Sequence, residues 1–332
     1  MTPKERFMAA LSGEKLDRPA VGCTTQSVTV DQMDAVGVRW PEAHSDAKMM
    51  AALGAAGAKV FGFENVRIPF CLTVEAEIFG AKVDMGKRDR TPMIKNHVFD
   101  PKDTPAYPED FLGMERVRTV LEAVRILKDQ VGNELPIVVG TAGPTTIAGH
   151  LIGTESMLMM MLTQPDTVHK FLKASCAMEK QYIQALVAAG ADVIAMSDPN
   201  ASSDMLSVPM FDTFARPYIK EAWAEVKGAK KILHICGNTT KMLDHMIATG
   251  ADGLSIEEKV DPAKAVQIVN GRAALVGNMG VVQPLLMGTP EECTAVALKI
   301  KEAGFNIIAP GCGLAARVPK ANIEAMVKAV KG

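Results

Sequence analysis

The chain has 332 residues, 36 Lys and Arg against 38 Asp and Glu for a net charge of −2, and it is 48% hydrophobic. A near-neutral balance with no Lys/Arg block excludes the dense positive surface that holds nucleic acid or an anionic membrane. The most apolar stretch, Met157 to Leu162, is far shorter than the roughly 20 residues needed to cross a bilayer, so no transmembrane helix is expected.

At the start of the chain, Thr2-Pro3-Lys4-Glu5 carries a helix-start signature: Thr as N-cap, Pro in the first turn and Glu three residues after Thr. No signal-type apolar region follows, and a cytoplasmic protein is expected. The six cysteines, Cys23, Cys71, Cys176, Cys236, Cys293 and Cys312, are too irregularly spaced for a secreted disulfide framework and read as reduced thiols or ligands.

Short Val/Ile-rich runs alternate with segments of helical period, the pattern of repeated βα units. Strands are expected over residues 20–25, 59–63, 136–141, 192–197, 231–236, 253–257, 274–278 and 306–310. Helices are expected over 45–53, 116–130, 165–189, 211–226, 239–248, 262–269, 290–303 and 320–331. Eight strands alternating with helices predict an α/β fold of the (β/α)8 TIM barrel type, with an N-terminal helical extension. A doubly wound sheet would carry G-x-G-x-x-G after its first strand, and none is there. One barrel domain over 1–332 is expected, with an insertion after the second strand over about residues 64–115. Within it, alternating Val83, Met85, Ile94 and Val98 about the charged tip Lys87-Arg88-Asp89-Arg90 predict a β-hairpin over the active-site end.

The densest chemistry lies in His234-Ile235-Cys236-Gly237-Asn238, at the end of the fifth expected strand. Residues two apart on a strand point the same way, so His234 and Cys236 are expected to face one side. Cys312, in Pro310-Gly311-Cys312-Gly313 after the last strand, would converge on the same barrel mouth. One imidazole and two thiolates suit Zn²⁺ and leave its fourth position open to a substrate. Buried structural cysteines are the competing account.

Cys176 and Cys293 fall within helical periods and are expected in the core, Cys23 in the first strand as a small hydrophobe, and Cys71 as a spare ligand. Other strand-end polar residues are Gln26, Glu64, Arg67, Asp198, Asn200, Glu257, Glu258 and Asn278. Acids at such positions can ligate a metal or orient a His ligand, and Arg67 could meet an anionic group or form a structural ion pair. His44, His97, His150, His169 and His245 are expected in structural or surface roles. The Met-rich Ser156 to Leu162 reads as core filling.

Pro3-Lys-Glu-Arg6 with Asp17-Arg18-Pro19, Gly62-Phe-Glu-Asn-Val-Arg67-Ile-Pro69, Glu75-Ala-Glu77-Ile-Phe-Gly80, Ser197-Asp198-Pro199, Leu233-His234-Ile-Cys236-Gly-Asn238, Val276-Gly-Asn278 and Pro310-Gly-Cys312-Gly313 carry a family likeness. With them the chain resembles the corrinoid-dependent methyltransferases of the uroporphyrinogen decarboxylase superfamily, on their methylcobamide:coenzyme M branch. The resemblance implies one Zn²⁺ per chain held by His234, Cys236 and Cys312. It implies a substrate thiol, coenzyme M, that takes a methyl group from a corrinoid held on a separate protein. Glu77, Asp198 or Glu257 would fill the open position without substrate or orient His234, Asn278 would be a supporting polar residue, and Arg67 would lie near the sulfonate.

A homocysteine methyltransferase would use the same metal logic and differ only in its acceptor pocket. A decarboxylase of the superfamily would need arginines after the first strand, and Val21-Gly-Cys-Thr-Thr-Gln26 has none. A non-catalytic corrinoid-protein partner would have no use for an open metal site.

Overall fold

In the computed structural model, which describes residues 1–224 and 226–332, ten strands follow one another along the chain. They are β1 (Ala20–Val21), β2 (Val66–Ile68), the pair β3 (Val83–Asp84) and β4 (Met93–Ile94), then β5 (Ile137–Ala142), β6 (Val193–Ser197), β7 (Lys230–His234), β8 (Gly253–Ile256), β9 (Ala274–Met279) and β10 (Ile307–Pro310). Eight of them form one parallel sheet in the order β1-β10-β9-β8-β7-β6-β5-β2, the (β/α)8 barrel expected from the sequence.

The seam between β1 and β2 is closed just outside the strands. Glu64 N donates to Val21 O at 2.8 Å, and the Asn65 amide accepts from Cys23 N at 2.9 Å and donates to Cys23 O at 2.8 Å. A Cβ on Gly22 would lie 2.0 Å from Asn65 Oδ1, so only glycine leaves room for this side-chain splice.

The N-terminal helix Pro3–Leu11 begins at the expected capping box, with Thr2 Oγ1 accepting from Glu5 N and Glu5 Oε2 accepting from Thr2 N. Its Phe7, Ala10 and Leu11 pack with Ala20, Val138, Val193, Ile232, Ala274 and Ile307, sealing the lower end of the barrel. A Cβ on Gly253 would lie 2.9 Å from Leu11 Cδ2, so the first residue of β8 is trimmed to admit the plug. The larger apolar core lies between strands and outer helices. With the bottom filled, the open end is the C-terminal one, where the strand ends deliver their polar residues.

Helices Pro165–Ala189, Pro262–Val269, Pro290–Ala303 and Lys320–Lys331 lie where the periodicity puts them. The second strand does not. The helix Ala47–Phe61 runs through Gly54 and Gly57 and ends at Gly62, so residues 59–61 are helical and the strand starts at Val66. Those two glycines are packing notches: a Cβ at Gly54 would lie 2.5 Å from Ile68 Cγ2, and one at Gly57 2.9 Å from Phe63 Cδ2. The shift moves Glu64 from the expected mouth to the barrel floor. There Arg6 and Arg18 donate to its carboxylate, which also accepts from Val21 N. The helix expected over 211–226 is two, Val208–Phe214 and Arg216–Ala222, and position 225 lies outside the described residues. The 239–248 segment is a 3-10 turn, Thr239–Lys241, followed by Leu243–Ile247.

The hairpin is present: Val83 pairs with Ile94 and Asp84 with Met93, with a bridge between Lys87 and Arg90. Its tip is tied across the mouth by Arg317 donating to Asp89 at 2.6 Å and by an Arg88–Asp34 ion pair. No described helix is long and apolar enough to cross a membrane.

Candidate metal centre and its cavity

His234 closes β7, and Cys236 lies two residues beyond it rather than within the strand. Cys312 follows β10. The ring nitrogens and sulfurs of these residues lie within 4.8 Å of one another. Cys236 Sγ is 3.4 Å from His234 Nε2 and 3.8 Å from Cys312 Sγ. Tetrahedral zinc with ordinary Zn–N and Zn–S bonds sets its N and S donors about 3.6 Å apart and its two S donors about 3.8 Å apart. The three donors thus fit a zinc ion in both chemistry and spacing.

Ser255, on β8 and paired in register with His234, was not legible as a site residue. Its hydroxyl is 3.1 Å and its carbonyl 3.3 Å from His234 Nδ1. That contact commits Nδ1 and leaves Nε2 facing the sulfurs, the arrangement in which a polar neighbour fixes a ligand's tautomer. Cys312 is pushed down to about 4 by the hydrogen bond from Cys236 and then by His234, while Cys236 is pushed up by its contact with Cys312 and by burial. Glu257 stands near the two thiols, and burial and then the Cys312 charge push its carboxyl up. Asn278 Nδ2 donates to Glu257 O at 3.1 Å and Val260 O at 2.8 Å, fixing the loop that carries Glu257.

The other two acids have different surroundings. The buried Asp198 carboxylate accepts from Thr145 N, Thr146 N and Thr146 Oγ1, so it caps the helix Pro144–Ile152. A Cβ on Gly143 would lie 2.4 Å from Asp198, so this cap is seated on glycine. Burial pushes Asp198 up to about 6 despite those bonds. Glu77 pairs with Arg116 at 2.7 Å and is not part of the cavity wall.

A cavity of about 770 Å³ opens over the three donors. One wall comes from the hairpin, Thr91 to His97, which supplies Lys95 and His97. His150 lines another side, its Nδ1 buried without a partner and its ring pushed down to about 4 by burial and then by His97. Both histidines thus belong to the cavity rather than to the structural background expected for them. Arg67 also lines it. The guanidinium is 2% exposed, has no carboxylate partner, and donates through Nη1 to Pro69 O while Nε is unsatisfied. Burial pushes it down to about 10, still charged at neutral pH. A Cβ at Gly140 would lie 2.1 Å from Arg67 Nη2, so β5 leaves a slot for this side chain. Among the described residues lining the cavity none is Asp or Glu.

The remaining cysteines, Cys23, Cys71, Cys176 and Cys293, are all buried. Cys71 stands on the cavity wall, where Arg116 Nη2 donates to its sulfur at 2.9 Å and Thr73 Oγ1 at 3.3 Å. In the Met-rich helix Thr154–Thr163, Met157, Met160 and Met161 are buried, as core filling requires, while Met159 is exposed.

A sequence model of the uroporphyrinogen decarboxylase (URO-D) family matches residues 2–332. The methylcobamide:CoM methyltransferase MtaA of Methanosarcina barkeri is 39% identical over 331 residues, covering 99% of this chain and 97% of its own. MtbA of Methanosarcina acetivorans, a methylcobamide:CoM methyltransferase, is 38% identical over 333 residues, with 99% of this chain and 98% of its own covered. The solved structure of a methyltransferase from Methanosarcina mazei matches with a TM-score of 0.96 at 38% identity, over 100% of this chain and 98% of its own.

Proposed function

The chain belongs to the uroporphyrinogen decarboxylase family, and from that premise we propose that it is a zinc-dependent methyltransferase. It moves a methyl group from a methylated corrinoid, carried by a partner protein, to the thiol of coenzyme M. The observation that carries this reading within the family is the cavity: three soft donors at its base, and walls that offer Arg67, Lys95 and His97 but no carboxylate.

His234, Cys236 and Cys312 would hold the metal. When bound, zinc supplies the Lewis acidity that deprotonates a thiol at neutral pH and keeps its sulfur nucleophilic. Two cysteinates already balance the dication, so an added substrate sulfur keeps its negative charge. Ser255 holds the His234 ring in the tautomer that presents Nε2. Glu257, beside Cys236, is the acid suited to the fourth position when no thiol is there. Phe70, Leu72, Met93 and Ile94 give the cavity an apolar wall that limits water around the reacting sulfur. The acceptor's sulfonate suits Arg67, whose buried guanidinium has no carboxylate in ion-pair contact and leaves Nε unsatisfied. The carbon–sulfur bond forms as the cobalt–carbon bond breaks, and the corrinoid keeps the electron pair.

A homocysteine acceptor would bring an ammonium group, and the cavity wall sets Arg67, Lys95 and His97 against it with no lining carboxylate, Glu257 being placed at the metal end beside the thiols. A decarboxylase of the family is disfavoured by the β1 end, where Thr25 and Gln26 rather than arginines face the cavity.

The test is Cys312→Ala. Metal content and methyl transfer should fall together. A variant that keeps one zinc per chain and full turnover would remove the basis of the reading.

A further inference from the structure

Cys71 is the one cysteine of the cavity wall outside the three-donor cluster. It follows β2 on the segment that leads into the short helix Val74–Ile78, and it is 7% exposed, toward the cavity. Its sulfur is the end point of two donors, Arg116 Nη2 at 2.9 Å and Thr73 Oγ1 at 3.3 Å. Arg116 is itself held in place, donating through Nη1 to Thr73 Oγ1 at 3.1 Å and to Glu77 at 2.7 Å. A guanidinium has no acceptor atom, so the sulfur accepts in this contact, and negative charge that develops on it meets a fixed cation. Reactive cysteines sit in electropositive surroundings of this kind, and the small part of Cys71 that is exposed gives onto the cavity.

A second feature points to the electrophile. Arg67, 2% exposed with its Nε unsatisfied, lines the same cavity as Cys71. An anionic reagent entering the cavity is therefore drawn toward the sulfur, and a cationic one is repelled.

We propose that Cys71 is a redox-sensitive modification site that forms a mixed disulfide with the oxidised, disulfide form of a small anionic thiol, closing the cavity until free thiol reopens it. The inference rests on the reading above that the cavity takes an anionic thiol. The Cys71 sulfur attacks one sulfur of the small disulfide; a new S–S bond forms, the old one breaks, and the other half leaves as a thiolate that takes up the proton lost from Cys71. The Cys71 sulfur rises to the disulfide level as the departing sulfur falls to the thiol level, and the half that stays bound keeps its oxidation state, so no outside oxidant is needed. Excess free thiol reverses the exchange.

The experiment treats zinc-loaded protein under native conditions with the disulfide of coenzyme M, which is anionic, and in parallel with cystamine, which is cationic, and maps modified peptides by mass spectrometry. The Cys71 peptide should gain one acceptor half, at least about tenfold faster from the anionic reagent. Turnover should fall in proportion to the label and return with excess thiol, and Cys71→Ser should lose the fractional inhibition. Arg116→Lys should slow labelling while leaving the fold intact by circular dichroism. A Cys71 that labels only after denaturation, or at equal rates with both reagents, overturns the proposal. Labelling is read by mass, independently of methyl transfer, so charge-selective labelling in a protein that does not methylate coenzyme M sustains this inference while sinking the assigned activity. Methylation without labelling does the reverse.

Discussion

The Ser255 hydroxyl lies 3.1 Å and its carbonyl 3.3 Å from His234 Nδ1, and the opposite ring nitrogen lies 3.4 Å from Cys236 Sγ, so one residue on β8 engages Nδ1 and leaves Nε2 toward the sulfurs. Partners of ligating histidines contribute about 10- to 100-fold to metal affinity. Ser255→Ala should weaken zinc binding by that factor in a chelator competition while leaving the folded spectrum unchanged. Unchanged affinity would mean that the backbone carbonyl of Ser255 alone orients the ring.

Metal binding should release protons. The contact between the thiols pushes Cys312 down to about 4 and Cys236 up, so the pair holds on to one proton above neutral pH. Loading zinc then displaces about one proton from the pair, and affinity rises with pH. Calorimetry in two buffers of different ionisation enthalpy measures this directly; no proton release would contradict the shared-proton account.

Arg67 should separate stability from function. Its charge is buried without an acidic partner, so Arg67→Met should leave the melting temperature equal or higher. The loss of a charge-assisted bond to the acceptor should raise the KM for an anionic thiol by about tenfold or more. A destabilised variant with unchanged KM would assign Arg67 to the scaffold.

Asp198 should leave a mark on the pH dependence of folding. Its carboxyl is pushed up from 3.8 to about 6, so the folded chain holds the proton more tightly than the unfolded one. That contribution is full below about pH 4 and is lost as pH rises through 6, for about 3 kcal/mol in all. Wild-type protein should lose that much more stability between pH 4 and pH 7 than Asp198→Asn in urea unfolding. Parallel curves would show that the helix cap keeps Asp198 ionised throughout.

On the barrel floor, Glu64 takes Arg6 and Arg18 together and is 1% exposed. Glu64→Ala leaves Arg6 with Asp17 as its remaining acid and the part-buried Arg18 without one, and should cost about 1–3 kcal/mol, with zinc affinity unchanged because the cavity is at the other end. A loss below 1 kcal/mol, or a change in metal binding, would contradict this placement.

The metal donors could be read from the sequence because residue type and strand-end position are both local properties: His234, Cys236 and Cys312 each sit where a short apolar run meets glycine. The rest of the cavity depends on long-range packing. Lys95 and His97 reach it through the hairpin, whose tip is tied to Arg317 and Asp34 and whose far end is bonded to Leu151, and Ser255 through the register of β7 with β8. The second strand was misplaced because glycines that usually end a helix here lie inside one, cut to fit Ile68 and Phe63. That error carried Glu64 to the wrong end of the barrel.

The most direct test of the central claim is methyl transfer from free methylcobalamin, on protein of measured zinc content, with coenzyme M and homocysteine compared as acceptors. The account predicts one zinc per chain and methylation of coenzyme M in clear preference. Zinc with homocysteine preferred would contradict the anionic-acceptor cavity, and protein that methylates coenzyme M without any metal would contradict the three-donor centre.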